Sequence, residues 1–454
     1  MSNEQTRNRL LVTYDSLEAY VAGGGGKGLA RADDLGPDAI VTMLSASGLR
    51  GRGGAGFPTG TKWRSLLDAT GERFLVANAA EGEPATFKDR LLLRRNPYQV
   101  LEGIAIAART VGARSAYLGL KSSFVLEVES LQRAIDEMRA AGMLDGFTLE
   151  VIRGPDRYLL GEETGLLGVI EGRGPFPREI RPFMRGLFGS SSALNPTLVN
   201  NVETLANVPL ILAEGPEWFR SRGTPSSPGT MLFTVAGDVV REGVHELALG
   251  SPLRELVEGR AGGMREGRAV KVIVPGASGA VMGPEALDIP LDFDELRRAG
   301  SSLGAGGFAV YDDSVCVLEV ARAFTRFLHV ESCAQCMACK LHSGVINELV
   351  TSLDAGSGNV GDLEEISARA TKVTDGQKCA LPTGTRAFVL SVSQMFADDF
   401  AAHVSGGCPS DRKIVLPKLI DFDEDAGRFL YDKHYETTSP QWTEEFAATS
   451  IFET

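Results

Sequence analysis

The spacing of apolar positions along this chain changes twice, and the changes mark its organisation. Between Leu75 and Leu212, short apolar runs alternate with stretches of helical periodicity. Phe74–Asn78, Ser115–Leu120 and Thr148–Ile152 read as buried strands. Leu91–Val111 and Val125–Ala141 read as helices, the second with Val128, Leu131, Ile135 and Met138 on one face. Strands alternating with helices predict an α/β domain with a mainly parallel sheet. Ahead of it, a short amphipathic helix over Ser16–Ala22 ends in a turn at Gly23–Gly26. Pro37 starts a helix with Ile40, Val41 and Leu44 on one face, the densest glycine stretch follows at Gly48–Gly60, and Lys62–Ala69 is helical again.

Near Pro225 the texture shifts. Met231–Ala236, His245–Leu249 and Val270–Val274 read as short strands, with a helix over Leu253–Glu258, so a small α+β unit is expected. From Val315 the pattern is helical over Val315–Val330, Lys340–Leu353, Asp362–Thr374 and Thr383–Val404, which predicts a four-helix bundle. The residues beyond 405 have weak periodicity and are expected to wrap a partner as a tail. The expected units are residues 1–225, 226–300, 301–405 and 406–454.

A length of 454 residues allows about two to four domains. The formal net charge of -13 argues against nucleic acid as a partner, because a phosphate backbone recruits stripes of Lys and Arg. No stretch approaches the roughly 20 apolar residues of a membrane span, so no direct membrane insertion is expected. The polar start, Met1 to Arg7, has no apolar signal core, and a cytoplasmic location is expected.

The cysteines change the picture. The first 315 residues contain none, yet Cys333, Cys336 and Cys339 recur at two-residue intervals and Cys379 lies forty residues on. In a long intracellular chain such thiols point to a metal or cluster rather than to disulfides. Three local thiolates closed by a distant one form the ligand set of a four-iron, four-sulfur cluster. Four soft thiolates could also hold zinc, which more often uses two separated Cys-x-x-Cys pairs. The choice for the fourth ligand is Cys379, which the helical bundle would return to the loop; Cys408, in Gly407-Cys408-Pro409, is the competitor. Cys316 on an apolar helix face reads as core.

Gly51-Arg52-Gly53-Gly54-Ala55-Gly56 matches G-x-G-x-x-G, but a helix rather than a strand precedes it, which excludes a standard dinucleotide turn. Backbone amides free of side chains can still wrap phosphates or flat rings, and Arg52 and Lys62 add positive charge nearby. Three polar clusters stand at element junctions: Asn78 to Pro84, including Glu81, Gly82 and Glu83; Gly161-Glu162-Glu163-Thr164; and Asn200-Asn201-Val202-Glu203-Thr204. Each has a plain alternative, either helix-start charge or helix capping.

Taken in order, five segments resemble the NADH-binding flavoprotein subunit of respiratory complex I and the same module in NAD-linked hydrogenases and formate dehydrogenases. They are Gly48–Gly60, Glu83-Pro84 with Phe87–Arg90, Gly161–Thr164, Asn200–Thr204 and Glu331-Ser332-Cys333, and the resemblance spans about Gly48 to His403. It implies a Rossmann-like FMN- and NADH-binding α/β domain, then a ubiquitin-like β-grasp domain over Met231–Ile289, then a helical iron–sulfur domain. FMN would be held by Gly51, Gly53, Lys62, Asn78, Glu81, Gly161, Glu162, Glu163, Asn200 and Asn201, with Arg52, Gly82, Glu83 and Thr204 at the same cofactor site. NAD(H) would stack over Gly54, Gly56 and Phe57, with Arg181 and Phe183 near the adenine end. The 4Fe-4S cluster would take Cys333, Cys336, Cys339 and Cys379.

The resemblance further implies hydride transfer from NADH to FMN, with single electrons passing to the cluster. The partners it implies are a small thioredoxin-like two-iron iron–sulfur subunit and a larger dehydrogenase, hydrogenase or formate dehydrogenase subunit. Glu162 and Glu163 would disfavour a 2′-phosphate and so favour NAD. The sequence departs from the family pattern at Ala80, usually an aspartate, at Ala85, usually a glycine, and in the cluster loop, where Cys-Ala-Gln-Cys-Met-Ala-Cys replaces Cys-Gly-x-Cys-Thr-Pro-Cys. Ala80 and Ala85 leave open a second reading, a non-catalytic iron–sulfur relay or scaffold subunit with weakened nucleotide binding.

Overall fold

A computed structural model of the protein describes residues 9–277, 279–405, 408, 410 and 412–442. Four strands, β1 (Phe74–Asn78), β2 (Ser115–Lys121), β3 (Thr148–Gly154) and β4 (Thr197–Asn201), form an all-parallel sheet in the order β3-β2-β1-β4. The three strands expected from apolar runs begin at the expected residues. β4 is not among the expected strands, because its second half is the polar Asn200-Asn201. Side chains alternate across the sheet, so Leu75 and Ala77 join one core while Val76 and Val199 join another on the opposite face. Both faces are covered, as a parallel sheet requires.

The helices of this unit are α1 (Leu17–Ala22), α2 (Lys27–Asp34), α3 (Pro37–Ser47), α4 (Thr59–Leu67), α5 (Lys88–Arg95), α6 (Pro97–Val111), α7 (Val125–Ala140), α8 (Glu163–Ile170), α9 (Val202–Glu214) and α10 (Pro216–Arg220). The single helix expected over Leu91–Val111 is two. Pro97 forces Asn96 off helical geometry (φ -138°, ψ 56°), and the Asn96 side chain then caps α6 by accepting from the Gln99 amide. The glycine run at 23–26 leads into α2, a helix that the apolar pattern alone does not announce. α6 lies so close to α9 that a Cβ on Gly103 would meet the Leu205 carbonyl oxygen at 2.1 Å.

β5 (Thr230–Gly237), β6 (Gly243–Ala248), β7 (Val270–Val274) and β8 (Gly307–Asp312) form a second sheet in the order β6-β5-β8-β7. β5 and β8 run parallel, while β6 and β7 are antiparallel to their neighbours. Its own core is built on Met231, Phe233, Val235, Ile273, Phe308 and Val310. The helix expected over Leu253–Glu258 is present, starting at Leu253 and continuing as a π-helix over Glu255–Arg260, and a short helix α11 (Phe293–Arg298) follows β7.

The helical region contains α12 (Val317–Val330), α13 (Met337–Asp354), α14 (Val360–Lys372), α15 (Leu381–Met395) and α16 (Ala397–Ser405). α12 packs on α13 and α15, and α14 on α13 and α15. The helix expected over Thr383–Val404 breaks at Phe396 (φ -117°, ψ 37°); its apolar stripe continues through the break, so periodicity does not reveal it. Among the described residues no helix is long and apolar enough to cross a membrane.

The expectation that the C-terminal residues wrap a partner is overturned through Trp442. β9 (Leu419–Asp423) and β10 (Arg428–Tyr431) pair antiparallel and fold back on the chain itself. Phe429 lies against Phe87, Tyr435 against Phe327, and the Trp442 indole donates to the Val330 carbonyl at 2.9 Å. Residues 443–454 lie outside the described residues.

Candidate functional site: a glycine-lined crevice beside a four-thiol cradle

The order β3-β2-β1-β4 places a topological switch point between β1 and β4, where an open parallel sheet leaves a crevice beyond its carboxyl ends. Asn78 and Asn201 end the two strands and face each other in register. The Asn78 amide donates to the Gly161 carbonyl at 2.8 Å, and its oxygen accepts from the Ala80 N–H. Asn201 accepts from the Glu203 N–H, capping α9, and donates to Asp89 at 2.6 Å. Asn200 accepts from the buried Trp63 indole at 2.9 Å.

The glycine loop closes over this crevice. Gly51 N–H donates to the Phe57 carbonyl, Thr59 N–H to the Leu49 carbonyl, and Arg50 and Pro58 pair as an isolated bridge. These bonds hold the loop to one path. At the tip Gly54 (φ +126°) and Gly56 (φ +62°) adopt conformations that a side chain would oppose. The amides of Gly53, Gly54 and Gly56 have no hydrogen-bond partner among the described residues, so three donors are available to a ligand. Phe57 is half exposed at the loop's edge.

Two residues expected at the ligand are spent on the framework instead. The Arg52 guanidinium is buried and donates to the carbonyls of Arg50, Pro228 and Thr230, so its charge ties the loop to the start of β5. Thr204 is also buried, and its hydroxyl accepts from the Arg52 N–H at 2.8 Å. Lys62 does reach the crevice, paired with Glu163.

The acidic residues separate in the same way. Glu162 caps α8, its carboxylate accepting from the amides of Thr164 and Gly165 and from the Thr164 hydroxyl, as the plain capping alternative required. With Glu162 bonded and Glu163 paired to Lys62, the charge-repulsion argument for NAD over NADP loses its free carboxylates. Glu81 is half-buried and accepts from the Asp89 and Arg90 amides in the first turn of α5; desolvation, and next the Asp89 carboxylate, raise its pKa to about 8. Behind it, Lys88 is fully buried between Asp89 (2.7 Å) and Glu203 (2.8 Å). Glu83 accepts from the Tyr158 hydroxyl at 2.9 Å and from the Ala277 amide at 2.8 Å, joining the crevice to the second sheet.

Two more glycines stand at close approaches, Gly161 against rigid backbone and Gly82 against the movable end of a lysine side chain. A Cβ on Gly82 would meet Lys121 Nζ at 2.4 Å, and one on Gly161 would meet the Ala80 carbonyl oxygen at 2.8 Å. Lys121 is buried at the end of β2, and burial, with Lys418 next, lowers its pKa to about 8. Lys121 is absent from the residues expected at the site, although a lysine ending an apolar strand is itself a signal. Arg181 and Phe183 stand exposed on the loop between α8 and β4. That loop touches the cysteines through Gln335, whose amide donates to the Pro177 carbonyl at 3.0 Å.

The cysteine loop joins α12 to α13. Cys336 is the N-cap residue of α13, Cys339 is buried in its first turn, and Cys379 precedes α15 and faces Cys333 and Cys339. Burial pushes the Cys339 thiol to about 11 and the Cys379 thiol to about 12, with neighbouring thiols adding to both. Ser332 shares a hydrogen bond with the Cys339 sulfur at 3.2 Å, and Gln335 donates toward Cys333 at 3.7 Å. Among the described residues no three of these four sulfurs lie within 4.8 Å of one another. A single tetrahedral zinc would hold its sulfurs about 3.8 Å apart. The wider spacing fits a multi-iron core with one thiolate per iron.

Glu331 and Tyr158 join the two sites. Glu331 is buried, accepts from the Tyr158 amide and from the Tyr435 hydroxyl at 2.9 Å each, and immediately precedes Ser332-Cys333. Burial, followed by the Glu83 carboxylate, holds the Tyr158 phenol well above its ordinary value, and Cys379 is close enough to add to the effect. Glu162 is likewise near enough to Cys379 to raise its thiol.

Comparison with known proteins agrees with this geometry. Residues 44–210 match the Nuo51 FMN-binding domain, and residues 319–403 match the NADH-ubiquinone oxidoreductase-F iron-sulfur binding region. The chain is 40% identical over 401 residues to the second F subunit of the NADH-quinone oxidoreductase of Rhizobium meliloti (strain 1021), covering 86% of this chain and 94% of that protein. It is 34% identical over 434 residues to HndC, a subunit of the NADP-reducing hydrogenase of Solidesulfovibrio fructosivorans, covering 93% and 87%. Among solved structures, an NAD+-reducing NiFe hydrogenase in the H2-reduced state matches with a TM-score of 0.77 and 33% identity, over 88% of this chain and 68% of that one. The glycine crevice and the thiol cradle thus coincide with the two matched regions, and the chain belongs to the family of NADH-quinone oxidoreductase F subunits, FMN-binding iron–sulfur flavoproteins.

Proposed function

We propose that FMN lies in the crevice beyond β1 and β4, against the backbone of Gly51, Gly53, Gly54 and Gly56, with NADH entering over Phe57. Lys62, Asn78, Glu81, Gly82, Gly161, Glu162, Glu163, Asn200 and Asn201 would bound the flavin, and Cys333, Cys336, Cys339 and Cys379 would ligate the 4Fe-4S cluster. The observation that carries this reading is the direct connection Glu83–Tyr158–Glu331, which leads from the crevice to the cysteine loop. The unpaired loop amides and the side-chain-free positions Gly82 and Gly161 support a flat, phosphate-bearing occupant. The chain is an NADH-oxidising or NAD-reducing oxidoreductase subunit of a complex I-like or hydrogenase-type assembly.

FMN held in the crevice would supply hydride acceptance and release of single electrons, and a cluster on the four cysteines would supply single-electron acceptance. The protein's part is positional. Asn78 and Asn201 hold the crevice floor together, the buried Lys88 pair fixes the start of α5 behind it, and Tyr158 and Glu331 link the two sites by hydrogen bonds. Ser332 would tune the sulfur of Cys339 through its hydrogen bond.

The finer architecture follows the same reading. The order β6-β5-β8-β7 supports a β-grasp unit that begins near residue 226, but β8 carries it past the expected boundary at 300 to Asp312; α12 to α15 support a four-helix bundle beyond it, and residues 1–225 the nucleotide unit. Residues 412–442 would be a C-terminal extension folded onto these units. Met337 and Leu341 are exposed beside the cysteine loop, 77% and 51%, and offer apolar surface to an acceptor. A thioredoxin-like two-iron subunit would fit that role, with a larger dehydrogenase or hydrogenase subunit beyond it.

The test uses anaerobically purified full-length chain, reconstituted with FMN and iron–sulfide. Gly82→Val should abolish flavin binding and NADH-dependent bleaching while iron content is unchanged. Full flavin occupancy in that variant would exclude this crevice.

A further inference from the structure

Two cysteines outside the cradle come together with a histidine. Cys316 is the N-cap residue of α12, His403 lies in the last turn of α16, and Cys408 follows that helix. Their ligand atoms all lie within 4.8 Å of one another, the only such group of His, Cys, Asp and Glu among the described residues. We propose that Cys316, His403 and Cys408 form a second metal site, distinct from the cluster, that takes one zinc ion.

The geometry fits that ion. Zinc–sulfur and zinc–nitrogen bonds of about 2.3 and 2.0 Å at a tetrahedral angle put a thiolate and an imidazole nitrogen about 3.5 Å apart. Cys316 Sγ and His403 Nε2 are 3.4 Å apart. The imidazole is already oriented for ligation: Nδ1 lies 2.8 Å from the Asp399 carbonyl oxygen, and a proton donated there leaves the Nε2 lone pair facing the sulfur. The Ser410 N–H donates to Cys408 Sγ at 3.4 Å, and the Cys408 thiol donates to the Ser410 carbonyl at 3.0 Å, a bond that ligation of the ion would release. Two thiolates would balance the charge of a divalent ion. The neighbouring Asp399 carboxylate is already matched by Lys271 at 2.7 Å. A cavity of about 210 Å³ borders Cys316 and His403 and leaves room for water as the fourth ligand. Soft sulfur with imidazole favours zinc over magnesium or calcium.

Such an ion would fasten three parts of the chain: the start of α12, the end of α16 and the segment leading into the C-terminal hairpin. Arg412, just beyond Cys408, pairs with Asp312 at 3.0 Å and with Asp238. The site would therefore pin the returning C-terminal segment against both the helical region and the second sheet.

The test uses full-length, cluster-loaded protein incubated with zinc, passed over a desalting column and assayed by mass spectrometry for zinc and iron. The wild type should keep about one zinc per chain, and Cys316→Ser, His403→Ala and Cys408→Ser should each lower retention at least about tenfold with iron unchanged. Half-buried Cys408 makes Cys408→Ser the variant that folding tolerates best. With cobalt as the probe, the wild-type-minus-Cys408→Ser difference spectrum should carry a thiolate-to-cobalt charge-transfer band. No retained zinc in the wild type, equal retention in all three variants, absence of the cobalt band, or a Cys316–Cys408 disulfide in anaerobically isolated protein would each overturn the assignment.

Discussion

The crevice and the cradle use side chains in opposite ways. At the crevice, nearly every polar side chain is already committed to the protein: Asn78 to Gly161, Asn201 to Asp89, Glu162 to the start of α8, Arg52 to three carbonyls. What remains for a ligand is mostly backbone. At the cradle, the four thiols have few partners, a single hydrogen bond to Ser332 and a long one from Gln335, and the side chains themselves are the binding groups. Truncating a single polar side chain should therefore remove the cofactor directly at the cradle and act through stability at the crevice.

The largest effect is expected at the cradle. Cys336→Ala should remove most of the bound iron and the cluster absorbance while flavin content stays near wild type, measured by iron and FMN stoichiometry on the same sample. Loss of both cofactors together would show that the two sites do not separate. Next is the buried pair behind the crevice. Lys88→Met leaves Asp89 and Glu203 buried without their cation, and should lower unfolding free energy by about 3–5 kcal/mol in urea titrations.

Glu81 gives a pH test with a defined sign. Its folded pKa is raised by burial from 4.5 to about 8, so the fold favours the neutral acid. The stability it contributes is complete below the unfolded value and is lost as pH rises through about 8. The urea midpoint of the flavin-free chain should fall across that window, and Glu81→Gln should flatten the fall.

The smallest effects concern two alanines, one at each site. Ala85 (φ +58°) and Ala334 (φ +65°) hold left-handed conformations, which favour glycine. Such a conformation costs an L-residue about 1–2 kcal/mol, partly offset by the entropy glycine loses on folding. Ala85→Gly and Ala334→Gly should each stabilise by up to about 1 kcal/mol, read as a rise in thermal midpoint.

The same contrast explains what the sequence made legible. The cysteine spacing revealed the cradle because each ligand is a rare residue at a fixed interval, and Cys379 does face Cys333 and Cys339. The parallel sheet was legible in three of its four strands, since β1, β2 and β3 carry apolar runs. β4 escaped because Asn200 and Asn201 interrupt the apolar pattern. Arg52 and Thr204 were assigned to the ligand because sequence shows proximity along the chain and not direction; both turn inward. The breaks at Asn96 and Phe396 differ in kind: Pro97 announces the first, while nothing in the periodicity announces the second. Tyr158 and Lys121 could not be found from motifs, because their positions depend on where strands and loops end in space.

The central claim is that reducing equivalents entering at the glycine crevice reach the four-thiol cradle within this one chain. An anaerobic NADH titration of the reconstituted protein, followed by visible absorbance and low-temperature electron paramagnetic resonance, tests it directly. The account predicts flavin bleaching together with a reduced iron–sulfur signal that disappears in Cys336→Ala. Flavin reduction with a cluster that dithionite reduces but NADH never does would contradict it.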